Sequence, residues 1–199
     1  MMILFDVGNV IMMGDHKRTH NYLQRKYNID KAKAERFYGQ EYHDFSRGKI
    51  SGQEFCDSLR KILNKQITND ELRKAHDIHI YKFDDDVIRL IENLHQMKIR
   101  IGFLTDTNIW QTGVEKEGVD LEKYAEPKDI FRSHEIGMLK MDDPFPYVLE
   151  KLDIPPSEIL YVDDIKEYVN LAVSNGLTAI QYLSPDNLRD RLHRMHLFS

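Results

Sequence analysis

The run ILFDVGNVIM, residues 3–12, is apolar along its length apart from Asp6 and Asn9, with Gly8 between them. Short, nearly continuous apolar runs of this kind belong to strands of a parallel sheet covered by helices on both faces. An isolated carboxylate fits poorly inside such a strand, so Asp6 marks the place where the strand ends and the chain emerges at the carboxyl edge of the sheet. Open parallel sheets bind ligands beyond that edge, where the strand order reverses.

Three further runs, 100–104, 159–162 and 177–182, share the pattern and are rich in β-branched and aromatic residues. Helical periodicity occupies 86–97, 144–152, 165–175 and 185–197. Strand and helix therefore alternate, which predicts an α/β fold with an open parallel sheet flanked by helices. One interval departs from the alternation. From 15 to 85 the pattern is helical throughout, over 16–27, 30–42, 51–64 and 69–80, divided by turn signals such as Ser46-Arg47-Gly48. The expected organisation is an α/β core domain built from 1–14 and 86–199, with an all-helical cap domain, 15–85, inserted after the first strand. The acidic run Asp84-Asp85-Asp86 stands where the chain returns to the sheet and reads as a helix N-cap.

Composition narrows the function. A chain of 199 residues suits one domain of roughly 150 residues plus an insertion. Hydrophobic residues make up 41% and charged residues 31%, with a net charge of -5, so there is no polybasic footprint for nucleic acid. The single cysteine, Cys56, permits no internal disulfide, and a reducing compartment is expected. No stretch reaches the roughly 18 apolar residues of a membrane span, and the N-terminal run lacks the basic leader of a secretory signal. The expectation is a cytoplasmic protein acting on a small molecule, without a membrane, nucleic-acid or obligate protein partner.

Three of the runs end in polar groups: Phe5-Asp6, Leu104-Thr105-Asp106 and Val162-Asp163-Asp164. If the strands bearing Asp6 and the Asp163-Asp164 pair are neighbours, their carboxylates share one partly buried site. They would then repel one another unless a cation is present. An all-oxygen donor set without a histidine or cysteine cluster favours Mg²⁺, whose remaining water positions a phosphate ester can take.

The motifs FDVGNV, FLTDTN, Lys140 in SHEIGMLK, and YVDDI, in that order, resemble the four motifs of the haloacid dehalogenase (HAD) superfamily. The likeness is greatest to the phosphatases of that superfamily with a small helical cap after the first strand, including sugar-phosphate phosphatases whose first motif reads D-x-G-N-V. The segment FSRGKISGQEF is similar to a stretch of their caps. The resemblance implies that Asp6 is the nucleophile, forming an aspartyl-phosphate that water hydrolyses. It implies that Mg²⁺ is held by Asp6, the backbone carbonyl of Gly8, Asp163 and Asp164. Thr105 and Lys140 would serve the phosphoryl group, with Asp106 beside them in the substrate site.

Some positions depart from that pattern. Gly8 stands where such phosphatases often have a second Asp that protonates the leaving oxygen. Asp106 stands where the second motif often has Asn or Gly, Tyr168 where the fourth often has Asn, and Met141 follows Lys140 where proline is usual. Two alternatives therefore remain, a weakly active or non-catalytic relative and a 2-haloacid dehalogenase, whose chemistry needs no metal. Thr107 and Asn108 read as caps of the next helix, and Arg47 and Lys49 as turn residues. The nine histidines read mostly as surface residues. His76/His79 and His193/His196 have helical spacing but no third metal ligand. His16, Lys17 and Arg18 follow the first strand closely enough to line an entrance.

Overall fold

The computed structural model describes residues 1–197. Its main sheet is parallel, with five strands in the order β5-β4-β1-β6-β7. These are β1 (Met2–Phe5), β4 (Arg100–Thr105), β5 (Ile130–Arg132), β6 (Ile159–Asp163) and β7 (Thr178–Gln181). The chain builds outward from β1 through β4 to β5, then returns to the other side of β1 for β6 and β7. That reversal opens a crevice beside the carboxyl end of β1.

The alternation of side chains along β1 explains its unbroken apolar sequence. Ile3 and Phe5 enter one buried layer with Val87, Leu90, Ile91 and Leu94 of α6 (Asp85–Gln96) and Leu188 and Leu192 of α11 (Pro185–Arg194). Met2 and Leu4 enter the opposite layer with Phe145, Val148 and Leu152 of α9 (Phe145–Leu152) and Ala172 of α10 (Lys166–Ser174). A strand with a helical layer on each face has no side to leave polar.

Between the first strand and α6 lie α1 (His16–Tyr27), α2 (Lys31–Glu35), α3 (Gln40–Ser46), α4 (Gly52–Leu63) and α5 (Asn69–Asp77). Ser51 caps α4 in a reciprocal box with Glu54, which satisfies two backbone N–H groups at that end. The helix over 30–42 expected from the sequence is broken. Lys31–Glu35 is α-helical, Arg36–Tyr38 is a 3₁₀ turn, and Gly39 stands in extended conformation before α3. The expected helix over 69–80 ends at Asp77, because the chain enters β3 (Ile80–Phe83). That strand pairs antiparallel with β2 (Met12–Gly14), forming a two-stranded link between the helices and the sheet.

These helices have an apolar interior of their own, made by residues such as Leu23, Phe37, Phe45, Phe55, Leu59 and Leu72. Trp110, from α7 (Ile109–Gly118) on the sheet side, inserts into it edge-on to Phe45, 4.9 Å between ring centroids. A Cβ on Gly52 would stand 2.9 Å from the Trp110 ring nitrogen, so only glycine admits the indole there. Further ties span the same joint. Arg47 pairs with Asp142 through two bonds of 2.6 and 2.8 Å, and the Ser133 hydroxyl lies 2.7 Å from the carbonyl of Ser46. Trp110→Ala is expected to cost about 3 kcal/mol of unfolding free energy in urea, the usual loss when a large buried aromatic is truncated. A loss below about 1 kcal/mol would show that the joint does not depend on the indole.

Candidate functional site

The register of β1 with β6 decides the site. Phe5 pairs with Val162, and the Asp6 backbone N–H donates to the Val162 carbonyl at 2.8 Å. The next residue of each strand is an aspartate, so Asp6 and Asp163 come side by side at the carboxyl edge. Asp164 follows immediately. One oxygen of each of these three carboxylates lies within 4.8 Å of the others, and theirs is the one such grouping of acidic, imidazole or thiol donors among the described residues.

Lys140 reaches into this cluster from a 3₁₀ turn, Lys140–Asp142, and is itself buried. Its ammonium lies 2.6 Å from Asp6 Oδ1 and 2.7 Å from Asp163 Oδ2. The backbone N–H of Val7 also donates to Asp6 Oδ1, at 2.7 Å, so both donors fall on one oxygen and fix the plane of the carboxylate. Asp163 Oδ2 also accepts from the Tyr161 hydroxyl, while its Oδ1 accepts from the N–H of Ile165 at 2.7 Å. A fully buried, multiply bonded Asp163 is a fixed element of the floor.

The electrostatics are unbalanced. Burial raises the Asp6 carboxyl well above the usual carboxylate range; Lys140 opposes the rise, and Asp163 and Asp164 add to it. Burial and Asp163 raise Asp164 as well. Burial alone would lower Lys140, but Asp6, Tyr161 and Asp163 outweigh it and hold the ammonium charged. One ammonium thus faces three clustered carboxylates, and the oxygen-only donor set suits a hard divalent cation such as Mg²⁺.

Above this floor is a cavity of about 350 Å³. Asp6, Gly8, Asp106, Lys140 and Asp164 line it, as do Met141 and Tyr168. Asp106 accepts a hydrogen bond from the backbone N–H of Lys140 at 2.8 Å, tying the two loops together. Burial raises its carboxyl too, against Lys140. Asp163, buried in the floor, and Thr105, buried at the end of β4, do not line the cavity themselves.

The expected caps are found in part. Asn108 caps α7 by accepting from the N–H groups of Trp110 and Gln111, and Asp84 caps α6. Thr107 instead donates its backbone N–H to Ser133, and its hydroxyl has no partner among the described residues. Arg47 does not face the cavity, being held by Asp142. The surface reading of the histidines fails for His76 and His79, which are buried in the joint between the helices and the sheet. Both ring nitrogens of His76, and Nδ1 of His79, are engaged within the protein. His76 bonds Asp77 and Asn108, and His79 Nδ1 donates to the His76 carbonyl.

His16, Tyr42, Ser46, His79 and Gln111 form the upper wall of the cavity. Of these, the sequence places only His16 at an entrance, from its position just after the first strand, while His79 reads only as half of a helically spaced histidine pair and Ser46 only as part of a turn. The rest converge through tertiary packing, which residue spacing does not encode.

The parallel sheet, the crossing point at β1 and the helices inserted ahead of α6 make a fold that solved HAD family enzymes share. No family model matches the chain. It is 23% identical over 202 residues to the D-ribitol-5-phosphate phosphatase of Bacteroides thetaiotaomicron, across 94% of this chain and 93% of that protein. A HAD family enzyme from the same organism, solved in complex with magnesium and inorganic phosphate, has a TM-score of 0.80 at 21% identity, over 91% of this chain and 93% of that one. A HAD-like family hydrolase from Porphyromonas gingivalis has a TM-score of 0.81 at 18% identity, over 98% and 96% respectively. These likenesses bear out the resemblance carried by the four motifs.

Proposed function

We propose that the protein is a Mg²⁺-dependent phosphatase that hydrolyses a small phosphorylated metabolite through an aspartyl-phosphate on Asp6. The observation that carries this reading is the floor of the cavity, where one lysine joins Asp6 to Asp163 with Asp164 beside them. The likeness to a pentitol-phosphate phosphatase and to a HAD enzyme with magnesium and phosphate supports it. A haloacid dehalogenase would have no use for a cation-binding trio of acids.

In this reading a carboxylate oxygen of Asp6 attacks phosphorus. The ester P–O bond breaks, and the leaving oxygen departs with its electron pair and takes up a proton. Water then attacks the phosphorus of the acyl phosphate, releasing inorganic phosphate and restoring the carboxylate. Asp6, the Gly8 carbonyl and Asp164 would hold Mg²⁺, with Asp163 acting directly or through water, and the ion supplies positive charge to the phosphoryl oxygens. Lys140 holds Asp6 in place and neutralises charge on the transferring group. Asp106 is assigned to the phosphoryl side of the substrate, and Thr105, buried outside the cavity wall, is given no direct contact with it. The helical unit, 15–85, acts as a cap that closes the site from solvent and chooses the leaving group.

The test is a screen of phosphorylated metabolites, with aryl and acetyl phosphate, in the presence and absence of Mg²⁺. Mg²⁺-dependent phosphate release is expected, and no release from any ester would overturn the reading.

Gly8 makes a further prediction. General acid catalysis contributes about 10² to 10⁴ in rate, most where the departing oxygen is basic. With no side chain at position 8, the rate should fall steeply from acyl and aryl to alkyl phosphates. A Cβ on Gly8 would meet nothing within 4 Å, so Gly8→Asp has room for its carboxyl. It should raise alkyl-phosphate turnover by up to about 10²-fold. A native rate independent of leaving-group pKa, with chemistry rate-limiting, would assign the proton to another acid such as Asp106.

A further inference from the structure

We propose that the upper wall of the cavity selects an uncharged, hydroxyl-bearing leaving group, with His79 as a specificity-determining hydrogen-bond acceptor, and excludes substrates that carry a second anionic group. This inference rests on the phosphatase reading and specifies the substrate class for the same site.

The charge inventory of the wall comes first. Lys140 is the one lysine or arginine lining the cavity among the described residues, and its ammonium is already shared between Asp6 and Asp163. The neighbouring outer groove, which shares His43 and Met141 with the cavity, holds Arg47, committed to Asp142, and Lys49, which lies outside the cavity wall. A carboxylate or second phosphate on the leaving group would enter a chamber that already contains Asp6, Asp106 and Asp164, with no free lysine or arginine to meet it. A buried anion without a partner is costly to bind, and that cost discriminates between substrates.

The wall does offer neutral hydrogen-bonding groups. His79 Nδ1 donates to the His76 carbonyl, so the proton of the neutral ring resides there and Nε2 presents a lone pair. Gly14 lines the same cavity, and a Cβ on it would stand 3.1 Å from His79 Cδ2, so the missing side chain keeps the imidazole edge uncovered. The Ser46 hydroxyl is buried in this wall and has no hydrogen-bond partner among the described residues. The His16 ring is stacked on Tyr38 at 3.6 Å, with an interplanar angle of 9°, which fixes its orientation.

Burial lowers His79 to about 3, with help from His76, so its imidazole is neutral at pH 7. An acceptor at His79 and the amide of Gln111 match a chain or ring of hydroxyl groups.

The test compares two primary-alcohol esters of equal length, erythritol 4-phosphate and 4-phosphoerythronate, which differ in a terminal CH₂OH against a carboxylate. Phenyl phosphate serves as a reference lacking hydroxyl groups. With Mg²⁺ present, kcat/KM should favour erythritol 4-phosphate over 4-phosphoerythronate by at least about tenfold. His79→Phe keeps a ring and deletes the acceptor, and should lower the ratio of erythritol 4-phosphate to phenyl phosphate turnover by about three- to tenfold. Equal or preferred hydrolysis of 4-phosphoerythronate by the native enzyme would overturn the inference while leaving the phosphatase reading intact. An unchanged ratio in a folded His79→Phe protein would remove His79 from the assignment. No turnover of any of the three esters would remove the phosphatase reading and this inference with it.

Discussion

Asp6→Asn should abolish phosphate release, lowering kcat by roughly 10⁴-fold or more, the scale of loss when a covalent nucleophile is deleted. The amide nitrogen and oxygen occupy the space of the carboxylate. The side-chain oxygen still accepts from the Val7 N–H and from Lys140, so both contacts that orient the group persist. What is lost is the negative charge needed to attack phosphorus. The substitution also takes one acid out of a crowded buried cluster, so the metal-free protein should unfold at an unchanged or higher temperature. Reduced activity in an unfolded variant would be uninformative, and the melting curve separates that case. Activity above a few per cent of wild type in a folded variant would remove Asp6 from the nucleophile role.

The second large effect concerns the cation. If the three acids share Mg²⁺, chelation with EDTA should eliminate turnover, and Mg²⁺ should stabilise the fold because only the folded chain gathers its ligands. At a concentration of 100 times Kd, mass action contributes about 2.7 kcal/mol. For a chain of this size that corresponds to a rise in Tm of roughly 5–10 °C. Asp164 is the most accessible of the three and lines the cavity, so Asp164→Asn should weaken the Mg²⁺-induced shift without disturbing the buried Lys140–Asp163 pair. A Tm indifferent to millimolar Mg²⁺ would contradict a shared carboxylate site.

The strands that carry these acids were legible because β1, β4 and β6 are buried on both faces and read as continuous apolar runs. The polar residues at their ends then located the site before any geometry was known. Three strands escaped the same reading. The edge strand β5 and the connecting β2 have three residues each, too few for a period to register. The third, β3, alternates only weakly, and its residues continue the apparent helix that ends at Asp77. Gly39 divides α2 from α3 within a stretch whose apolar spacing is helical on both sides.

The neutral upper wall was not legible for a different reason. His79 becomes an acceptor only because the His76 carbonyl takes its Nδ1 proton, and Ser46 reaches the cavity only because α3 packs against the short helix Ser133–Ile136. Both facts depend on the joint anchored by Trp110. Lys140 was recognised within its motif, but its burial between two aspartates is a property of the folded chain.

The central claim is that phosphate passes through Asp6. Acyl phosphates are reduced by borohydride to alcohols, so an aspartyl-phosphate trapped during turnover becomes homoserine. The protein should be mixed with phenyl phosphate and Mg²⁺, quenched rapidly, treated with borohydride and digested for peptide mass analysis. Homoserine at position 6, present with substrate and Mg²⁺ and absent when either is omitted, is the expected result. Phosphate release with position 6 unmodified, or with the modification on another acid, would contradict the account.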